Sequence, residues 1–313
     1  MALSKRKSLV LVKLETTYGV DSLTGSTGTE ALLVRNLDVT PLNAETVSRD
    51  LIRPYYGNSE QLLTKTSSTI TFEVELAGSG TAGTAPRYDP LLQAAALAPT
   101  VVSSTSVTYN PVSNAIKSAT IWINLDGVLH KFLGCRGTFT MNCSLGQIPV
   151  LSFNLTSIYN EPTDVVALTP TYTAQATPLV FRQTNTSGFS FFSSTSLCLQ
   201  SVEFTLANEI VYRELIGCSK EVLITDRKPS GSAMIEAPLM ATKNFFNLAT
   251  GDATGTLSFL HGITAGNRVT FTANQVDITA PTYSEQDGIM MLNVPYVAVP
   301  TNAGNNEFSL AFT

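Results

Sequence analysis

The chain has 313 residues, of which 24 are acidic and 19 basic for a formal charge of -5; only 14% are charged while 43% are hydrophobic. That apolar content is enough for two buried cores and excludes a disordered chain, and a net acidic balance argues against a DNA-coating protein. Forty-one threonines and 29 serines stand where charges usually would, a composition suited to β-strands and to surfaces buried against partners.

At the N-terminus, Lys5, Arg6 and Lys7 precede Leu9-Val10-Leu11-Val12, but Lys13 closes the apolar run after four residues. A secretory core needs about 7–15 apolar residues and a membrane span about 20, so neither export nor membrane insertion is expected. Next, Thr69-Ile70-Thr71-Phe72-Glu73-Val74-Glu75-Leu76 alternates without exception and predicts a strand apolar on one face. Gly78-Ser79-Gly80-Thr81-Ala82-Gly83 fits a dinucleotide fingerprint in letters only. Pro86 and Pro90 intervene before any helix, and no acidic residue follows about twenty positions on, so a flexible surface loop is the better reading.

Asp89 as cap, Pro90 at the first helical position and the helix formers from Leu91 to Ala98 predict a short helix. Period-two runs then follow at Ile121, Ile123 and Leu125; Leu151, Phe153 and Leu155; Val202, Phe204 and Leu206; Val269 and Phe271; and Phe308, Leu310 and Phe312. Asp126-Gly127 supplies a hairpin turn. A second short helix is expected over residues 243–249, after Thr242. One-face-apolar strands joined by hairpins mean antiparallel sheets rather than a doubly wound enzyme fold.

The chain also repeats itself. Thr46-Val47-Ser48-Arg49-Asp50-Leu51-Ile52 matches Ile210-Val211-Tyr212-Arg213-Glu214-Leu215-Ile216 at an offset of 164 residues. Leu62-Leu63-Thr64 matches Leu223-Ile224-Thr225 at an offset of 161, and Val74-Glu75 matches Ile235-Glu236 at the same offset. More weakly, Phe153-Asn154-Leu155 matches Leu292-Asn293-Val294. The pattern predicts two tandem β-sandwich domains, each with one short flanking helix, over residues 1–165 and 166–313.

No constellation carries catalysis. His130 and His261 are the only histidines and sit in ordinary strand-end contexts. Cys135, Cys143, Cys198 and Cys218 form no ligand or redox pair and read as reduced, mostly buried thiols, which removes the meaning of the glycosylation matches at Asn142, Asn154 and Asn185. No cofactor or metal is expected. The charge pairs Arg49-Asp50 and Arg213-Glu214 offer one charge to each side of a strand, either as a solvated rim or as contacts to a neighbouring subunit. Glu75 and Glu236 recur on polar strand faces. If such a face lined a channel, the acids would keep a polyanion from sticking; otherwise they mark an exposed face.

Several strings together resemble the tail tube proteins of long-tailed, siphovirus-type bacteriophages of Pseudomonas and relatives. They are Lys13-Leu14-Glu15-Thr16-Thr17-Tyr18-Gly19, Leu37-Asp38-Val39-Thr40-Pro41-Leu42, Thr46-Val47-Ser48-Arg49-Asp50, Phe72-Glu73-Val74-Glu75-Leu76-Ala77-Gly78-Ser79-Gly80, Val211-Tyr212-Arg213-Glu214-Leu215 and Ile224-Thr225-Asp226-Arg227-Lys228-Pro229-Ser230-Gly231. The resemblance implies a β-sandwich whose inner sheet joins its neighbours into a barrel around a lumen. A duplicated chain would close such a ring with three copies in pseudo-sixfold symmetry.

The resemblance also implies an N-terminal arm over residues 1–14 and a hairpin loop over residues 53–66 that reach the adjacent ring. Contact candidates are then Arg49, Asp50, Arg53, Tyr55, Tyr56, Asn58, Arg213 and Glu214, and lumen-facing candidates Glu73, Glu75 and Glu236. The implied partners are further copies of the chain, a tape measure protein, tail terminator and baseplate or distal tail proteins, and double-stranded DNA in passage without specific binding. The implied setting is the virion tail, assembled in the host bacterial cytoplasm. Alternatives are a baseplate or other virion β protein, a glycan-binding sandwich, or a β-sandwich hydrolase. Trp122 as the only tryptophan and the reducing-type cysteines weigh against the last two.

Overall fold

The computed structural model describes residues 3, 4, 6–251 and 253–313; Met1, Ala2 and Lys5, which belong to the expected arm, lie outside the described residues. In the first half the elements are β1 (Ser8–Leu14), β2 (Ala31–Leu32), β3 (Arg35–Ser48), β4 (Gln61–Glu75), α1 (Asp89–Ala94), β5 (Leu97–Val102), β6 (Ser106–Pro111), β7 (Ala119–Leu125), β8 (Val128–Ser144), β9 (Val150–Ile158) and β10 (Thr163–Asp164). In the second half they are β11 (Thr186–Phe191), β12 (Leu199–Thr205), β13 (Asn208–Arg213), β14 (Glu221–Arg227), β15 (Ser230–Glu236), α2 (Phe245–Thr250), β16 (Thr254–His261), β17 (Val269–Ile278), β18 (Thr282–Gln286), β19 (Ile289–Ala298) and β20 (Phe308–Phe312). All the ladders are antiparallel, and the chain is mainly β with two short helices, as the alternation predicts.

Each alternating run is a strand because one set of side chains can be buried at once. In β4, Ile70, Phe72 and Val74 are buried while Thr69, Thr71, Glu73 and Glu75 point the other way. Asp126 and Gly127 both adopt positive φ, 49° and 106°, making the tight β7–β8 turn. The first helix stops short of the expected Ala98, because Ala96 turns to a φ of 63° and Leu97 already belongs to β5. Asp89 does not cap it; its carboxylate instead takes hydrogen bonds from the Tyr109 hydroxyl at 2.7 Å and the Gln93 amide. The second helix starts later than expected and is capped by Asn244, whose side chain accepts the Asn247 N–H at 2.9 Å.

The two halves pair their strands in parallel ways. The ladders β1–β7, β7–β8, β8–β9 and β4–β9 have counterparts in β11–β16, β16–β17, β17–β19 and β15–β19. The long hairpin β3–β4 has its counterpart split in two, β12–β15 near the core and β13–β14 beyond it, with the break at Lys228-Pro229 where proline has no N–H to give the ladder. Phe72 opposite Phe153 corresponds to Ala233 opposite Val294, so the ladders equate Phe153 with Val294, two residues beyond the weak likeness read from sequence.

In each half one strand crosses from one layer to the other. β8 pairs β7 over its first part and β9 over its second, the change falling at a bulge where Gly134 has a φ of 64°. Side chains between the layers form one continuous core through both halves. It includes Phe204 packed on Phe308 and Phe271 at centroid distances of 4.6 and 4.9 Å. Truncating such a ring to alanine costs about 3–5 kcal/mol. The halves also share two ladders, β8–β12 and β6–β20.

Two expected segments differ from their sequence reading. Of the expected arm, Ser8–Leu14 is laid into the sheet as β1, bonded along β7 with Leu9, Val10, Leu11 and Val12 buried. The glycine-rich segment 78–83 is pinned rather than loose: Gly78 donates to Asn267 Oδ1 at 2.9 Å and Gly80 to the Gly266 carbonyl at 2.9 Å. A Cβ on Gly78 would stand 2.0 Å from that carbonyl oxygen, so close backbone approach explains the residue.

Candidate functional site

One layer runs without a break through both halves in the order β3, β4, β9, β8, β12, β15, β19, β18. Its outer face is built by the residues that alternate with the core. A single ladder row carries Glu73, Ser152, Thr140, Thr205, Ser230 and Val297 across six strands, and the next row carries Glu75, Val150, Asn142, Glu203, Ser232 and Pro295. At the junction of the halves the Thr140 and Thr205 hydroxyls lie 3.2 Å apart in a hydrogen bond. Short hydroxyls and amides thus cover this face, which uses the serine and threonine excess.

The three acids singled out from sequence, Glu73, Glu75 and Glu236, all project from this face. Asp38 and Glu203 join them, opposite Thr71 and Asn142, and neither was legible before the registers were known. So was Arg35, whose guanidinium lies 3.8 Å from both Glu73 and Glu75 and offsets part of their charge.

The β3–β4 hairpin extends well past the core, and residues 49–60 at its tip are exposed apart from half-buried Ser59. Arg53, Tyr55, Tyr56 and Asn58 all stand in water there, and Ile52 and Tyr56 are fully exposed at 103% and 106%. Ile52, missed from sequence, adds apolar area to the tip, and Leu51, Leu62 and Leu63 extend it.

The repeated charge pairs do not bridge within themselves. Arg49 crosses the first hairpin to Glu60 at 2.7 Å, while Asp50 accepts from the Ser48 hydroxyl. Arg213 crosses the second to Glu221 at 3.3 Å, and Glu214 meets Lys220 at 3.1 Å. Arg49–Glu60 and Arg213–Glu221 are related by the same offsets of 164 and 161 as the sequence repeat. The second hairpin is shorter and leans on the first half, where Arg136 bonds Glu221 at 3.1 Å and the Val222 carbonyl at 2.6 Å.

The remaining chemistry is structural. The Glu15 carboxylate, buried, accepts from Gly19 N, Gly134 N, Ser118 Oγ and Thr120 Oγ1, which fixes the loop after β1. His261 is held by the Thr186 hydroxyl at Nδ1, 3.0 Å, and the Leu179 carbonyl at Nε2, 3.1 Å. Burial lowers the pKa of both His261 and His130. Cys135 and Cys143 are buried, with burial pushing the Cys143 thiol up to about 12, whereas Cys198 and Cys218 are exposed, contrary to the expectation of mostly buried thiols. Among the described residues no group of three or more His, Cys, Asp or Glu side chains could hold a metal ion, and no helix is long and apolar enough to cross a membrane.

A mainly β chain with one extended polar sheet face and protruding hairpins belongs to the class of structural proteins whose working parts are surfaces. Residues 5–298 match the family described as phage tail tube protein, and the chain belongs to that family. It is therefore a structural component of a phage tail. None of the curated proteins compared with the chain matches it.

Proposed function

We propose that the chain polymerises into stacked rings that form the hollow tail tube, three copies per ring with pseudo-sixfold symmetry, and that genomic duplex DNA passes through the lumen to the host. The observation that carries this reading is the unbroken polar face of the layer from β3 to β18, which spans both halves. Turned inward, it would present hydroxyls, amides and the acids Asp38, Glu73, Glu75, Glu203 and Glu236 to a polyanion, so that DNA slides without sticking. The halves 1–165 and 166–313 are read as an internal duplication, supported by the matching ladders and the repeated cross-hairpin ion pair.

The hairpin tip 49–60 is assigned to contacts between rings, where its exposed isoleucine and tyrosines would be covered. Tape measure, terminator and baseplate proteins are the partners this role requires, and assembly takes place in the host cytoplasm on a siphovirus-type tail. Negative-stain electron microscopy of the concentrated protein, alone and with tail extract as nucleator, tests the reading. Hollow stacked rings with threefold or pseudo-sixfold end views support it. A chain that stays monomeric even with extract would contradict it and favour a baseplate role.

A further inference from the structure

The ladder between β8 and β12 joins the halves within one chain, and the counterparts of these two strands are left unpaired on their outer sides. Counting through the matched ladders, β12 corresponds to the start of β3 at an offset of 165 residues, so that Val202 and Phe204 correspond to Leu37 and Val39. The end of β8 corresponds to β18 at an offset of 142, so that Met141 corresponds to Tyr283. β3 bonds only β4, and β18 bonds only β19.

Burial follows the same division. Val202, Phe204, Met141 and Cys143 are buried at the internal joint, whereas Leu37 and Val39 are half-buried and every residue of β18 is exposed. Beneath the free edge of β3 lies an open groove of about 1090 Å³, lined by Leu37, Val39, Leu33, Val10, Arg6 and Tyr172 among others.

We propose that the occupant of this edge and groove is β18 of a second copy, in the register of the internal joint. This deepens the ring reading above and rests on it. Transferring Val202↔Cys143, Glu203↔Asn142, Phe204↔Met141 and Thr205↔Thr140 gives Leu37 opposite the neighbour's Glu285, Asp38 opposite Ser284, Val39 opposite Tyr283 and Thr40 opposite Thr282. Tyr283, half exposed and packed on Phe246 at 5.4 Å, then enters the groove beside Val39, and Glu285 faces the side lined by Arg6. The joint covers both free edges, which otherwise present unpaired backbone groups. Because each copy offers one β3 and one β18, the contact is head-to-tail and closes a ring.

The test is disulfide trapping in a background with Cys198→Ser and Cys218→Ser. Directly opposite residues on antiparallel strands bring Cβ atoms within reach of a disulfide and diagonal ones do not, so on copper-phenanthroline oxidation Asp38→Cys with Ser284→Cys is expected to trap about tenfold more product than Asp38→Cys with Gln286→Cys. The product should run as covalent dimers and trimers on a non-reducing gel. Rings that form but trap only the diagonal pair overturn the register. Rings that trap neither pair overturn the joint while leaving the ring reading standing. A serine background that forms no rings, with or without tail extract, overturns both.

Discussion

The Tyr18 hydroxyl accepts the backbone N–H of Val222 at 2.6 Å, tying the loop after β1 to the hairpin β13–β14 across 204 residues of chain. The same oxygen donates to the Gly134 carbonyl at 3.3 Å, and the Arg136 guanidinium lies over the ring at 4.8 Å. Burial pushes the phenol up to about 12, so it stays protonated and keeps its donor.

Tyr18→Phe leaves the Val222 N–H without its acceptor. Unfolding stability should fall by about 1–3 kcal/mol, and amide exchange at Val222 and its hairpin neighbours should speed up first. Native exchange at Val222 in this variant would mean that Arg136 alone holds the hairpin.

The tip of the longer hairpin makes a different expectation. Deleting residues 55–59 removes exposed side chains and no core contact, so the melting temperature should move by only a few degrees while stacking of rings is lost. Sedimentation and electron microscopy check the two parts separately, and full-length tubes from this deletion would remove the tip from the ring contact.

Much of this was legible in the chain because alternation reports directly which face is buried. The strands at Thr69, Ile121, Leu151 and Phe308 needed nothing more than period two. The repeat showed through at Arg49 and Arg213 because the same cross-hairpin ion pair is kept in both halves. Helix ends were missed because Ala96 adopts a positive φ that nothing in its neighbourhood signals. The role of Tyr18 depends on Val222, and that of Arg35 on the β3–β4 register, so both wait on tertiary structure. The arm reading failed for Ser8–Leu14 because an apolar run that short serves equally as a buried strand.

A buried ion pair near the end of the chain should be sensitive to truncation. Arg227 meets Glu307 at 2.8 Å with about a tenth of either side chain exposed, and it also bonds the Val112 carbonyl at 3.1 Å. Arg227→Met strands a buried carboxylate and should cost about 3–5 kcal/mol, whereas adding Glu307→Gln should recover part of that loss. Denaturant titration of the single and double variants measures the difference; equal losses would show that the pair is not coupled.

Acid should weaken the fold through His261. Its pKa in the folded protein lies below the ordinary value of 6.5, because burial disfavours the imidazolium. The unfolded chain therefore takes up a proton that the folded one refuses: the stability is fully present above about pH 6.5 and declines as pH falls below it. Melting temperatures at pH 7.5 and pH 5 should differ more for the native chain than for His261→Gln. His130 shifts in the same direction and contributes equally to both chains in that comparison. An unchanged difference would assign the acid sensitivity elsewhere.

The most direct measurement is an electron cryo-microscopy reconstruction of the assembled tube at a resolution that separates strands. The account predicts three chains per ring, the face carrying Glu73, Glu75 and Glu236 turned to the lumen, and β18 of each chain bonded to β3 of the next. A ring of six chains, or a lumen lined by any other face, would contradict it.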